Sequence, residues 1–148
     1  MTIRRSNAED GPRAVEIWRA AVDATHHFLS PQDRAEIDRE VQEFLPAVPL
    51  WLAVDRSGET AGFLLLDEAH IDALFIHPAY RGAGVGRALV EFALTLQPSL
   101  TTDVNEQNGQ AVGFYQHLGF VPTGRSEIDG QGRPYPLLHM RLAAAPPA

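Results

Sequence analysis

The stretch "HPAYRGAGVGRALVEFALTL", residues 77–96, places three glycines at alternate positions directly before an apolar segment. These are Gly82, Gly84 and Gly86, and from Val85 onward the apolar residues recur at helical spacing. The first turn of a helix leaves its backbone N–H groups unpaired and carries partial positive charge, so it readily binds anions. Glycine keeps side chains away from those donors. The stretch therefore predicts a phosphate-binding loop at the start of a helix.

Two known phosphate motifs fit this loop poorly. A Walker A loop needs Gly-Lys-Ser/Thr, which is absent here. The dinucleotide fingerprint G-x-G-x-x-G matches Gly82 and Gly84 but meets Arg87 where its third glycine belongs, although Glu106 lies about where its ribose-binding acid is expected. Five residues separate Ile76 from Gly82, whereas the fingerprint loop leaves its strand almost at once. Nicotinamide binding is disfavoured, and a loop that needs glycine only for tight turns remains the alternative.

The remaining segments predict a mixed α/β fold in a single domain. Ser30 and Pro31 are typical of a helix start. The buried stripe predicted for that helix is Ile37, Val41, Phe44 and Leu45. Strand-like and helix-like segments follow one another in the order β-α-α-β-β-β-α-β-α-β-β. The domain is predicted to span residues 1–142, and residues 143–148 are predicted to be a disordered tail.

Composition restricts the classes of partner. Nineteen acidic residues against twelve basic ones give a net charge of -7, which disfavours nucleic acid as a partner and suits a cationic one. The chain has no cysteine, so disulfides and thiolate metal ligands are excluded. No apolar run has the length of a membrane span, and the first residues lack the apolar core of a signal peptide. We expect a cytoplasmic protein that does not bind membranes.

A second block, "NEQNGQAVGFYQHLGF" at residues 105–120, identifies a family. In this block and in the glycine loop the chain resembles the GNAT superfamily of acyl-CoA-dependent N-acyltransferases. The family's pyrophosphate motif is matched by Arg81, Gly84 and Gly86 after the strand end "LFIHP", and its next motif is matched from Asn108 to Phe120. The stretches "VDATHHFL" and "GRSEIDGQGRPYPLL" further resemble one bacterial subgroup of that family.

The resemblance implies a fold and a co-substrate. The fold is a single-domain α/β (α+β) GNAT-like fold, with helices flanking a mixed, mostly antiparallel sheet that splays between the strands ending at Ile76 and near Val104. Acetyl-CoA is the implied co-substrate, with its pantetheine on a strand edge and its diphosphate on the loop amides, and no metal is expected. The residues implied in acetyl-CoA binding are Leu74, Phe75, Ile76, Arg81, Gly82, Ala83, Gly84, Val85, Gly86, Arg87 and Asn108.

Two catalytic residues are implied by position in the family's motifs. Tyr115 matches the tyrosine that in many members protonates the CoA sulfur, and a phenol with an ordinary pKa of about 10 keeps its proton at neutral pH. In several branches the general base is a glutamate six residues before the end of the central strand, and this chain has His70 there. Glu68, Asp72 on the same strand face as His70, or a chain of waters are the other candidates for the base.

The acceptor is predicted only as a class. Asp23, Thr25, His26 and His27 follow the first helix, where the fold places acceptor-side residues, although a solvated helix end explains them as well. The predicted reaction is direct acetyl transfer from acetyl-CoA to a primary amine, on a small molecule or a protein lysine, with the subgroup resemblance favouring lysine. The alternative is a non-catalytic acyl-CoA-binding sensor or interaction domain. Either a monomer or a homodimer is compatible with the sequence.

Overall fold

The computed structural model describes residues 1–143 and has the predicted order of elements. Its helices are α1 (Gly11–Thr25), α2 (Pro31–Phe44), α3 (Val85–Leu96) and α4 (Gly109–His117). Its strands are β1 (Thr2–Arg5), β2 (Trp51–Val54), β3 (Thr60–Asp67), β4 (His70–Ile76), β5 (Ser99–Asn105), β6 (Val121–Ser126) and β7 (Leu137–Ala143). The strands form one sheet in the order β1-β2-β3-β4-β5-β7-β6. The predicted class, a mixed α/β fold with a mostly antiparallel sheet, is confirmed.

The sheet contains a parallel pair of strands between antiparallel ones. β4 and β5 run parallel, with His70 opposite Thr101 and Ile71 opposite Thr102. The pairs β1–β2, β2–β3, β5–β7 and β6–β7 are antiparallel. The chain divides into two compact units, one formed by residues 1–65 and 73–89 and the other by residues 66–72 and those from 90 onward.

The first unit is built around one apolar core. The stripe of α1 supplies Ala14, Val15, Ile17, Trp18 and Val22 to it, and β2 and β3 supply Leu52, Val54 and Phe63. An interlocked cap precedes the helix: the Asn7 side chain accepts from a backbone N–H of the next turn, while the Asp10 carboxylate accepts from the Asn7 N–H at 2.8 Å. This cap closes the 3-10 turn Ala8–Asp10, which leads directly into α1.

The second helix confirms its predicted start and corrects one buried residue. Ser30 caps α2 by accepting from the Asp33 N–H at 3.1 Å, and Pro31 is its first residue. Ile37 and Val41 pack against the core, and Leu45 is 5% exposed. Phe44, however, is 50% exposed, so the prediction that it is buried was wrong. The α-helix ends at Phe44 and is followed by a 3-10 turn that begins at Leu45, whose predicted burial is confirmed.

The second unit is organised by β5. Seven residue pairs join β5 to β7, and Leu100, Thr102 and Val104 alternate as its buried face. Tyr115 of α4 and Met140 of β7 are buried in the same unit. β7 runs to Ala143, and the rest of the predicted tail, 144–148, lies outside the described residues. Within residues 1–143, no helix combines the length and apolarity that crossing a membrane requires.

Candidate active site

The first unit holds the strand end and the glycine loop that the sequence singled out. After Ile76 the chain is tied back to β3, since the His77 N–H donates to the carbonyl of Ala61 at 2.8 Å. The His77 ring then accepts from the Ala79 N–H at 3.0 Å and caps a short 3-10 turn over Pro78–Tyr80. Successive turn bonds fold the loop, the last of them from the Ala83 N–H to the Tyr80 carbonyl at 3.1 Å.

A side-chain hydrogen bond holds this loop to the turn between β2 and β3. The Tyr80 hydroxyl donates to the Asp55 carboxylate. That bond raises the pKa of Tyr80 to about 12. It also contributes most to lowering the pKa of Asp55 to about 2, with further help from Ser57 and the Glu59 backbone. Tyr80 and Asp55 were not identified from the sequence, because a contact between residues 25 apart leaves no periodic signal.

The glycines of the loop adopt a backbone that other residues rarely adopt. Gly82 and Gly84 have φ of +80° and +78°, and a Cβ added at either would meet no heavy atom within 4 Å. Glycine is therefore needed here for conformation, and the space over both residues is open. The first hydrogen bond of α3 joins the Ala88 N–H to the Gly84 carbonyl at 3.0 Å. The N–H groups of Val85 and Gly86 come earlier in the chain, so the helix offers them no carbonyl to bond. This geometry fits a diphosphate.

The strand before the loop is positioned by a glycine on its neighbour. A Cβ on Gly62 of β3 would lie 2.5 Å from Cδ1 of Ile76 and 2.9 Å from the carbonyl oxygen of Phe75. Gly62 thus allows the end of β4 to approach β3 closely. Leu74, Phe75 and Ile76 are half-buried, and Phe75 packs against the core of the unit. The implied acetyl-CoA residues of the first unit therefore lie on one continuous, well-supported segment.

In the second unit, Tyr115 is held by a hydroxyl of β5. Its ring packs edge-on against Phe114 and Phe120, and it is 7% exposed. Burial raises the pKa of Tyr115 to about 12, and the Tyr115 hydroxyl is hydrogen-bonded to Oγ1 of Thr102. Thr102 in turn donates to the Ile71 carbonyl at 3.1 Å. The phenol is therefore fixed where β4 and β5 pair, and it is protonated throughout the neutral range.

Asn108 acts first as the cap of α4. Its side-chain oxygen accepts from the Ala111 N–H at 3.1 Å, and the residue is 8% exposed. Because the side-chain oxygen of Asn108 already accepts from the helix, its side-chain NH2 group is the part that can donate to an acceptor atom of a ligand. The family motif thus combines a helix cap and a hydrogen-bond donor in one residue.

His70 lies among polar side chains of β4 and β5. Its Nδ1 is 2.7 Å from Oγ1 of Thr101, and its Nε2 is 3.7 Å from Oδ1 of Asp72 and 3.5 Å from Oδ2 of Asp103. Neighbours along a strand point to opposite faces, so His70 beside Thr101 and Tyr115 beside Thr102 approach the β4–β5 pair from opposite faces. Glu68 lies exposed in the turn before β4 with φ of +51°, outside the strand.

Most residues proposed for the acceptor side serve the first unit locally. Asp23 accepts from Arg34 at 2.9 Å, and the Thr25 hydroxyl lies 2.8 Å from the Ala21 carbonyl and 2.7 Å from Nδ1 of His26. Burial lowers the pKa of His26, with His27 adding to the effect. The His26 ring lies 6.4 Å from that of Phe75, so it neighbours the end of β4.

Sequence reasoning missed Asp103 and His139. Nδ1 of His139 is 2.6 Å from Oδ1 of Asp103, and the two residues are direct partners across β5 and β7. The available signal was the alternation of polar and apolar residues in "LTTDV", which places Thr101 and Asp103 on one strand face. The strand that would pair with that face was not known from the sequence.

Comparison with known proteins identifies the family of the chain. Residues 19–143 match the family described as the acetyltransferase (GNAT) domain. The chain is 58% identical over 140 residues to the peptidyl-lysine N-acetyltransferase YjaB of Salmonella typhimurium, covering 95% of this chain and 97% of that protein. The solution structure of apo-form YjaB from Escherichia coli superposes with a TM-score of 0.93 at 56% identity, covering 97% of this chain and 98% of that one.

A more distant structure shares the fold alone. The yncA protein of Salmonella typhimurium, solved with its cofactor acetyl-CoA, superposes with a TM-score of 0.64 at 20% identity, covering 100% of this chain and 96% of that one. Fold, motifs and sequence relatives agree. The chain belongs to the GNAT family of acetyltransferases.

Proposed function

We propose that this acetyltransferase transfers the acetyl group of acetyl-CoA directly to the side-chain amine of a peptidyl lysine. Family membership supports acetyl transfer to nitrogen, and the name of the 58% identical relative supports lysine as the acceptor. The main support for acetyl-CoA as the donor is the loop at the start of α3. There Gly82 and Gly84 have positive φ, and the helix offers no carbonyl to the N–H groups of Val85 and Gly86.

The chain's backbone would hold most of the donor. The N–H groups of Gly82, Gly84, Val85 and Gly86 would bind the diphosphate, assisted by the charges of Arg81 and Arg87. The N–H of Ala83, also expected to bind the donor, instead donates to the Tyr80 carbonyl within the loop. The edge of β4 at Leu74–Ile76 would pair with the amides of pantetheine, as a strand pairs with a peptide. The side-chain NH2 group of Asn108 would donate to the same arm. Acetyl-CoA supplies an acetyl thioester whose carbonyl carbon accepts the amine.

Tyr115 is the proposed general acid. When the nitrogen–carbon bond forms and the carbon–sulfur bond breaks, the sulfur needs a proton, and the phenol can donate one. Burial keeps the Tyr115 phenol neutral, with its pKa raised to about 12, so the proton is present at every physiological pH. The hydrogen bond with Thr102 keeps the hydroxyl oriented in the meantime.

His70 is the proposed general base. A lysine side chain is protonated at neutral pH and must lose a proton before its nitrogen can attack. Nε2 of His70 faces Asp72 and Asp103, whose carboxylates favour a cation nearby. His70 and Tyr115 lie on opposite faces of the β4–β5 pair. His70 would therefore take the proton of the lysine amine from one face, and Tyr115 would give a proton to the CoA sulfur from the other.

The experiment is acetylation of a short peptide that contains one lysine and a blocked N-terminus. All twelve basic residues of this chain are arginine, so lysine acetylation detected in the reaction must lie on the acceptor. We expect thiol release from acetyl-CoA together with one acetyl group on the peptide lysine, detected by mass spectrometry. The matched control is the same peptide with arginine in place of lysine, which should release no thiol above background.

Two results would contradict the proposal. If free amino acids or polyamines gave thiol release and lysine peptides gave none, the protein would still be an acetyltransferase, but peptidyl lysine would not be its acceptor. Binding of acetyl-CoA without transfer to any amine of a broad panel would favour the acyl-CoA sensor.

A further inference from the structure

Four polar side chains form a row across neighbouring strands of the second unit. They are His70 of β4, Asp103 of β5, His139 of β7 and Ser126 of β6. Asp103 and His139 are direct cross-strand partners, and His70 lies opposite Thr101, two residues before Asp103 on the same face. The first three side chains are between 33% and 39% exposed, so they are reachable from solvent. We call this set the polar row.

The hydrogen bonds of the polar row fix where one proton lies. An ionised carboxylate only accepts hydrogen bonds, so Nδ1 of His139, 2.6 Å from Oδ1 of Asp103, carries the hydrogen. In the neutral ring Nε2 is then an acceptor, and the Ser126 hydroxyl, 2.6 Å away, donates to it. His139 is held at both nitrogens, and it holds one oxygen of Asp103 in turn.

The other oxygen of Asp103 is directed at His70. Oδ2 lies 3.5 Å from Nε2 of His70, which is close for a charge but longer than a direct hydrogen bond. Asp72 is the other carboxylate beside this nitrogen, at 3.7 Å. Loss of solvent raises the pKa of Asp72; His70 opposes the rise, and Asp67 and Asp103 add to it. Asp103 is thus a carboxylate shared between two imidazoles, anchored by His139 and facing His70.

We propose that Asp103 is a positioning residue for the acetyl transfer, anchored by His139 and Ser126 so that its charge stabilises the proton that His70 removes from the acceptor. This inference rests on the proposed role of His70 as base. In the step, the N–H bond of the ammonium breaks and Nε2 of His70 binds the proton. The amine keeps the electron pair with which it attacks, and the partly exposed imidazolium later releases its proton to water.

The test removes the charge of Asp103 while keeping its shape. The reference pH is the one at which half of the His70 rings in the wild-type protein are doubly protonated. At that pH, the doubly protonated fraction of His70 in Asp103→Asn should be about threefold lower. This fraction is measured from the 15N resonances of the imidazole and requires no ligand or turnover. Wild-type His139 should show the Nδ1–H tautomer in the same spectra. The acid limb of kcat/KM should move to lower pH by about 0.5–1 unit, because the base holds its proton less strongly.

Two further variants separate charge from structure. Asp103→Glu keeps the negative charge and should restore most of the His70 protonation. Glu127→Gln removes an exposed carboxylate from the same unit, one whose charge acts on Arg125, and should leave both readouts unchanged.

The inference is overturned if His70 protonation is the same in wild type and Asp103→Asn. It is equally overturned if wild-type His139 shows the Nε2–H tautomer, because the anchor of Asp103 would then be absent. A wild-type protein that acetylates no amine would instead reject the proposed function. In that case the imidazole spectra still decide whether Asp103 charges His70.

Discussion

Tyr115 shows how a single residue is prepared for one chemical role. Its phenol is buried, packed by Phe114 and Phe120, and tied to Thr102, which is itself bonded to the carbonyl of Ile71. The same burial that raises its pKa to about 12 makes ionisation unfavourable and keeps the proton available. Packing of the core and supply of the proton therefore have a common physical origin.

Replacing Tyr115 with phenylalanine should lower turnover much more than donor binding. The ring packing is retained while the proton donor is lost, so we expect kcat to fall by about 10²-fold or more. The Kd for acetyl-CoA should stay within about twofold. Thiol-release kinetics measure the first quantity and calorimetry the second. The matched control is Tyr135→Phe, another buried phenol of the second unit, which should keep kcat within about twofold. Unchanged turnover in Tyr115→Phe would reject its role as the acid.

The elements illustrate which features are readable from sequence. Helix starts were predicted correctly because capping is local: Ser30 and Pro31 carry the signal within a few residues. Leu45 was predicted correctly, and Phe44 wrongly, because the α-helix gives way to a 3-10 turn after Phe44 and that turn buries only Leu45 of the two. Periodicity detects which face of a regular helix is apolar, but not the residue at which the regular helix stops.

The loop before α3 is the element on which donor binding depends. Its two glycines at positive φ shape the backbone, and no neighbouring side chain requires them to be small. The sequence predicted that glycine keeps side chains away from the amide donors, and the structure adds that Gly82 and Gly84 are needed for the backbone conformation. Both effects matter to a phosphate, since the conformation directs the amides and the open surface admits the anion.

Gly84→Ala should weaken acetyl-CoA binding by about tenfold or more. An alanine at φ of +78° is strained, so the loop relaxes and its amides lose their direction. The matched control is Gly132→Ala, which has the same φ of +78° and equally open surroundings in the turn before β7. Both variants should lose about 1 kcal/mol of unfolding free energy in urea titrations. Equal acetyl-CoA affinity in the two variants would contradict the role of the loop.

At the scale of the whole molecule, the net charge has opposite effects on the donor and on the acceptor. A net charge of -7 repels a multiply charged anion such as acetyl-CoA and attracts a cationic lysine side chain. The donor must therefore be held by a local feature, the helix start flanked by Arg81 and Arg87.

The fold, the family and this loop could be predicted from two short motifs. The polar row could not, because Asp103 and His139 are 36 residues apart and only the β5–β7 register makes them neighbours.

The central claim is that backbone amides at the start of α3 hold the diphosphate of the donor. Calorimetric titration of the wild-type protein with acetyl-CoA and with acetyl-pantetheine, which carries the same thioester but no diphosphate, tests it most directly. We predict that acetyl-CoA binds at least about 100-fold more tightly, a difference of about 2.7 kcal/mol. Equal affinity for the two ligands, or no binding of acetyl-CoA, would contradict the account.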